Sequence, residues 1–126
     1  MQKYEREVNS LSIVIIIKLC YYNLKELNSV KVFISLPMNG KSKEEIAQRM
    51  AKIGEMLKTR FPHDKIEVLD SLIKDTSKGP VWCLGKNIMT MSEADLVVFD
   101  KGWRLARGCK VEFDICSYYG FRFLEI

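Results

Sequence analysis

Histidine is nearly missing from this chain: His63 is its only one, set after Phe61-Pro62 in a polar stretch where it reads as solvated. A single histidine leaves little for zinc, and Cys20, Cys83, Cys109 and Cys116 form no C-x-x-C pair. That spacing suits neither a metal site nor a disulfide framework, so reduced thiols in a cytoplasm are the expected state. Proline and glycine are sparse, at 3 and 7 residues in 126, which excludes a fibrous or low-complexity chain. There is no arginine-rich arm either. The net charge of +4 is spread along the sequence, which argues against a nucleic-acid polymer as partner and leaves room for a small anionic ligand.

Long apolar runs are also lacking. The best candidate, "LSIVIIIKLCYY" at residues 11–22, is broken by Lys18 and falls short of the roughly 20 residues that span a bilayer. The preceding "MQKYEREVNS" carries Glu5 and Glu7, and no small-residue cleavage site follows. Neither a membrane anchor nor a secretory signal is expected. Residues 1–29 read instead as a hydrophobic extension, a buried strand or an extra helix docked at an edge or partner interface. The β-branched density of residues 13–17 favours the strand.

What is present is alternation. "VKVFISL" at residues 30–36 is a β-branched and aromatic run closed by Pro37 and Gly40, which predicts a buried strand and a turn. Ser42 and Glu45 make a capping-box pair, and Ile46, Met50, Ile53 and Leu57 then fall on one helical stripe. Residues 65–70 predict a second strand. Pro80 suits a first helical position ahead of Val81, Leu84, Ile88 and Met91. Residues 94–100 predict a third strand, residues 105–119 a helix ended by Gly120, and "FRFLEI" a last strand.

Repeated strand–helix–strand units with continuous apolar strands imply a parallel sheet covered on both faces. The expected domain, residues 30–126, is a small doubly wound α/β unit, a Rossmann- or flavodoxin-like three-layer sandwich of strand order 2-1-3-4. Its ligand crevice should lie beyond the carboxyl ends of the first and third strands.

Two loops should meet there, "SLPMNGKS" and "DKGWRLARG". The first is neither a Walker loop nor G-x-G-x-x-G. It is either an ordinary βα turn or a set of helix N-terminal amides suited to a phosphate or sugar hydroxyl. In the second, Arg104 and Arg107, with Lys101 and Lys110 nearby, form either a phosphate clamp or solvated loop charges. Trp82 and Trp103 either stack on a base or pack in the core. Glu112 is the odd residue, set among Cys109, Val111, Phe113, Ile115 and Cys116 one turn after Gly108. Burying a charge there would be costly, and the fold is expected to put this carboxylate at the crevice mouth.

Taken together, "KVFISLPMNGKS", "LGKNIMTMSEADLVVFDKGW" and "ARGCKVEFDICSYYG" resemble the nucleoside 2-deoxyribosyltransferase superfamily, and most of all its small branch known as the DUF4406 family. The resemblance runs from Val30 to the C-terminus. It implies that Glu112, in its Gly-x-x-x-Glu context with Gly108, is a nucleophile attacking the glycosidic carbon of a nucleoside or nucleotide. Water or a second base would then resolve the glycosyl-enzyme, as in retaining glycosidases. Where the family carries an acid that helps protonate the leaving base, this chain has Asn87. An amide can hydrogen-bond a base but cannot deliver a proton.

The implied substrate contacts are Ser35, Leu36, Pro37, Met38, Asn39 and Gly40, with Asn87, Trp103, Arg104, Arg107 and Gly108. No metal or cofactor is implied, and a homodimer or higher homo-oligomer is. Two other readings stay open: a non-catalytic nucleotide-binding module of the same fold, and an interaction protein working through its N-terminal segment.

Overall fold

The computed structural model describes residues 13–18 and 29–126. Its elements are β1 (Ser29–Ser35), α1 (Lys43–Arg60), β2 (Lys65–Val68), α2 (Pro80–Met91), β3 (Leu96–Phe99), a 3₁₀ turn (Trp103–Leu105), α3 (Arg107–Tyr119) and β4 (Phe123–Glu125). The strands form one all-parallel sheet in the order β2-β1-β3-β4. This is the doubly wound α/β architecture expected from the alternation.

Strand periodicity divides the core in two. Val32, Ile34, Leu36 and Val98 face Ile46, Met50, Ile53 and Leu57 of α1. Phe33, Leu69, Val97 and Phe99 face the other way, onto Met91 of α2 and Cys109 and Cys116 of α3. So α1 covers one face, and α2 with α3 the other. The capping box forms as predicted: Ser42 Oγ accepts from the Glu45 amide and the Glu45 carboxylate accepts from the Ser42 amide. Pro80 opens α2, and Gly120 closes α3 in the left-handed conformation at φ +71°.

Two expectations are corrected. The last helix starts at Arg107, not at 105, because Trp103 is pinned ahead of it. Its indole stacks on Phe113 at 4.4 Å and donates to Glu125 Oε1 at 2.9 Å, which winds Trp103–Leu105 into a separate 3₁₀ turn. The second concerns residues 13–17, which are helical and not a strand. A lone strand must find a sheet edge for its backbone, whereas a helix satisfies its own. Their β-branched side chains stay between 46% and 60% exposed. The remaining residues of the predicted extension, 1–12 and 19–28, lie outside the described ones, as does the question of a leader. Among the described residues no helix is long and apolar enough to cross a membrane.

One charged pair ties α1 to the carboxyl end of β3. Asp100 follows β3, is 3% exposed, and receives Arg49 of α1 bidentately at 2.9 and 2.7 Å. Burial alone would raise the Asp100 pKa. The Arg49 hydrogen bonds, the Lys101 amide and the charges of Arg49 and Lys41 outweigh it and hold the pKa below 3.8. That stability is present above the unfolded carboxylate pKa and is lost as pH falls through the lower folded one. Because Arg49 is a third exposed, Arg49→Ala should cost about 2–3 kcal/mol at pH 7, less than breaking a fully buried pair. Urea unfolding at pH 7 and pH 3 checks this, and the deficit should shrink at the lower pH.

Candidate active site

The carboxyl edge of the sheet is where the polar side chains of the core collect. Ser35 ends β1 at 1% exposure and Ser71 follows β2 at 2%. The β1–β2 register pairs Val32 with Val68, and Leu69 extends it by donating to the Val32 carbonyl. Beyond Leu69 the pairing ends, and Ser71 follows in the loop after β2. Glu112 comes from α3 at 5% exposure. Ser35 Oγ, Ser71 Oγ and Glu112 Oε2 are buried without a hydrogen-bond partner among the described residues. Buried polar groups are normally satisfied, so each of these atoms calls for an explanation.

Glu112 is not at the crevice mouth but beneath it. Its burial pushes the carboxyl from 4.5 up to about 8, and the facing Ser35 hydroxyl offsets only part of that rise. At pH 7 the group is therefore largely protonated. Burial also raises both flanking thiols: Cys109 directly, with a smaller push from Glu112, and Cys116 to about 11, with Glu112 again adding to the rise. Held as thiols, neither is a nucleophile. Gly108 lies one turn before Glu112. A Cβ there would meet Leu84 Cδ1 at 3.8 Å and Glu112 Oε1 at 3.9 Å, so alanine fits and anything larger meets the carboxyl.

The two predicted loops do approach each other. Gly102, at φ +84°, would bring a Cβ within 3.7 Å of the Pro37 ring. Within the first loop the expected contacts separate. Ser35 faces α3, but Leu36 points to the opposite side and belongs to the α1 core, because neighbouring strand residues face opposite ways. Met38 packs against that same core, Pro37 is half-buried, and Asn39 and Gly40 are exposed. At the α1 N-terminus the capping box takes the Ser42 and Glu45 amides, and the acidic side chains of Glu44 and Glu45 share the first turn.

The second loop is corrected more heavily. Trp103 is 6% exposed and packed on Phe99 and Phe113, so it is a core aromatic and no base platform. Arg104 bonds Glu125 Oε1 at 2.8 Å and lies 4.5 Å above the Trp103 ring. It is committed to closing the loop onto β4. Arg107 is exposed, with no carboxylate partner among the described residues.

Beside this edge runs a groove of about 480 Å³ between the β2–α2 loop and α2. Ser71 and Asn87 both line it, with Trp82, Lys74 and Lys86. The predicted Asn87 thus lies in the groove wall. Ser71 is a residue that the sequence reading missed. No local signal could have found it, since "VLDS" carries no motif. No group of three or more metal-ligating side chains is found among the described residues.

The Glu112 shift has a sign that can be tested. The folded pKa lies above the unfolded one, so the folded state keeps a proton that the unfolded chain has released. The associated stability is complete below about pH 4.5 and is lost as pH rises to about 8. Relative to Glu112→Gln, the native protein should lose about 1.4 kcal/mol per pH unit across that window. Chemical denaturation of both proteins at pH 5, 6.5 and 8 measures it, and parallel curves would contradict the assignment. Compared with known protein families, curated proteins and solved structures, the chain has no match.

Proposed function

We propose that the chain cleaves or transfers at the N-glycosidic bond of a deoxynucleoside or nucleotide, with Glu112 as nucleophile, as its resemblance to the nucleoside 2-deoxyribosyltransferases implies. The supporting observation is a contrast inside one molecule. Asp100 is buried and fully paired with Arg49, whereas Glu112 is buried with Oε2 unpaired. A structural carboxylate would be expected to look like the first. The second destabilises the fold on ionisation, and a reaction that needs an anion facing a developing cation gives that cost a purpose.

In this reading the ionised Glu112 attacks the anomeric carbon as the carbon–nitrogen bond breaks, its electron pair leaving with the base. The ester so formed is opened by water or by a second base, which returns the carboxylate. The Ser35 hydroxyl faces the carboxyl and orients it. Asn87 hydrogen-bonds the base across the groove, and the proton for the departing nitrogen comes from solvent. The neutral resting state of Glu112 and the amide at position 87 favour a second reading, a binding module without turnover.

One experiment separates them. In the enzyme, Glu112→Gln should lower base release at least about 10²-fold while the fold persists by circular dichroism. The native kcat/KM should rise close to tenfold per pH unit and level above about pH 8. Unchanged release in the variant would sink the nucleophile. Ligand binding without release in either protein would favour the module.

Self-association is proposed on separate grounds. Residues 13–17 are apolar, helical and about half-exposed, and a continuous apolar surface is unusual on a monomer. Light scattering should give a mass above the 14.6 kDa of one chain, and removal of residues 1–28 should lower it toward a single α/β unit.

A further inference from the structure

A glycosidic carbon–nitrogen bond breaks with its electron pair on nitrogen, so a neutral base needs a proton as it departs. In a displacement at the anomeric carbon the attacking carboxylate and the departing nitrogen lie on opposite faces. Glu112 therefore does not serve as nucleophile and acid in one step. The described groove walls bring no second carboxylic acid to that nitrogen. Asn87 is an amide with no proton to deliver. Asp70 and Asp75 turn to their own loop, where they accept the Leu72 and Ser77 amides at 3.0 and 2.9 Å. The Ser77 hydrogen bonds also hold the Asp75 carboxyl below its usual range. Glu93 is exposed beyond the end of α2. A neutral base would thus leave with a solvent proton, without the roughly 10²–10⁴-fold help of a positioned acid.

The same surroundings suit a ligand that brings its own positive charge. Glu112 Oε2 is buried with no partner, so no fixed cation of the described chain is paired with it. Asn87 lies one turn along α2 from Leu84, and Leu84 and the Glu112 carboxyl both border Gly108, which sets the groove wall beside the carboxyl. Within the groove Asp70, Asp75 and Glu93 outnumber Lys74 and Lys86. Its half-buried aromatic, Trp82, already receives cations: Lys78 Nζ and Lys86 Nζ stand 4.9 and 5.5 Å from the ring centroid. Both lysines are exposed, so a planar cationic ring can take such a place on the indole face. Ser71 Oγ, 2% exposed and unpartnered, lines the same groove, and with Asn87 it offers hydrogen bonds to a ring substituent.

We infer that the departing base carries a positive charge before it leaves: a quaternised heteroaromatic ring, a pyridinium or an N-alkylated purine, joined to the sugar through nitrogen. The inference rests on the glycosidic-bond reading. Glu112 releases its proton to solvent, and its oxygen then bonds the anomeric carbon as the carbon–nitrogen bond breaks. The electron pair of that bond neutralises the ring, so the base departs as a neutral molecule and takes up no proton. Water next opens the ester. Its hydroxyl joins the sugar, its proton passes to solvent, and the carboxylate returns.

The test uses the full chain with nicotinamide 2′-deoxyriboside beside its neutral 1,4-dihydro form, and 7-methyl-2′-deoxyguanosine beside 2′-deoxyguanosine. Released base is followed by chromatography and corrected for release in buffer alone. In at least one pair, kcat/KM should be at least about 10²-fold higher for the cationic member, the size of the missing acid's contribution. The pair that responds tells a pyridinium from a purinium. The pH profile of that cationic compound should rise and level with no descending limb up to about pH 9, since no acid of the enzyme is needed. A smaller ratio in both pairs, or a descending limb, would overturn the inference and leave the glycosidic-bond reading standing. If no base is released from any compound, that reading fails and calorimetric titration of the same pairs decides the ligand class. Binding of a cationic member at least about tenfold tighter than its neutral partner upholds the class, the size of a desolvated cation–π contact. A smaller difference in both pairs, or no binding, overturns it as well.

Discussion

A parallel sheet covered on both faces gives a polar side chain one way out of the core, the edge where the strands end. In this chain the faces are sealed by Val32, Ile34 and Val98 on one side and Phe33, Val97 and Phe99 on the other, all at or near zero exposure. Ser35 and Asp100 therefore occur immediately after apolar strand residues, Ser71 lies three residues past the end of β2, and Glu112 comes from α3. The order β2-β1-β3-β4 puts α1 on one face and α2 and α3 on the other. That division decides which polar groups can meet. Asp100 shares the side of Val98 and is met by Arg49 of α1. Ser35 shares the side of Phe33 and is met by α3.

The two buried acids then diverge for a physical reason. Around Asp100 the fold supplies a guanidinium, a backbone amide and a nearby lysine, and these outweigh desolvation. Around Glu112 it supplies thiols, Leu84 and a serine hydroxyl, and desolvation wins. Two carboxyls that are both hidden from solvent, Glu112 the more deeply desolvated, thus give one permanent anion and one group poised near neutrality. Separation of pKa values by environment is a common mark of acids with different tasks. Here the anion locks α1 to the β3 end, and the poised group is the one left without a partner.

Much of this could be read from residues alone. Apolar periodicity gave the element order, Ser42 with Glu45 gave a helix start, and Gly120 gave a helix end, because each is a local signal. Glu112 was legible as a charge on an apolar stripe. Strand periodicity also implies that Ser35 and Leu36 point to opposite faces and do not both line one site. What stayed hidden depends on distant pairing. Arg49 reaches Asp100 across 51 positions and the Trp103 indole reaches Glu125 across 22, and Ser71 gains meaning only in the groove wall. Of the two forms open to residues 13–18 the helix is the one formed, and β-branched density favoured the strand because β-propensity describes a fit to a pleated surface rather than an intrinsic backbone preference.

The resting proton on Glu112 links stability to the proposed chemistry. With the proton in place the site is neutral, and the fold avoids most of the desolvation penalty. Ionisation becomes easier only when something positive arrives. Among the described residues no cation is paired with Oε2; in the proposed reaction the positive charge is the ligand's own, as an oxocarbenium-like centre forms over the carboxyl. A fixed arginine in that position would hold Glu112 ionised at all times and blunt its response to the developing charge. The absence of such a partner is thus consistent with a carboxyl whose charge is timed by the substrate.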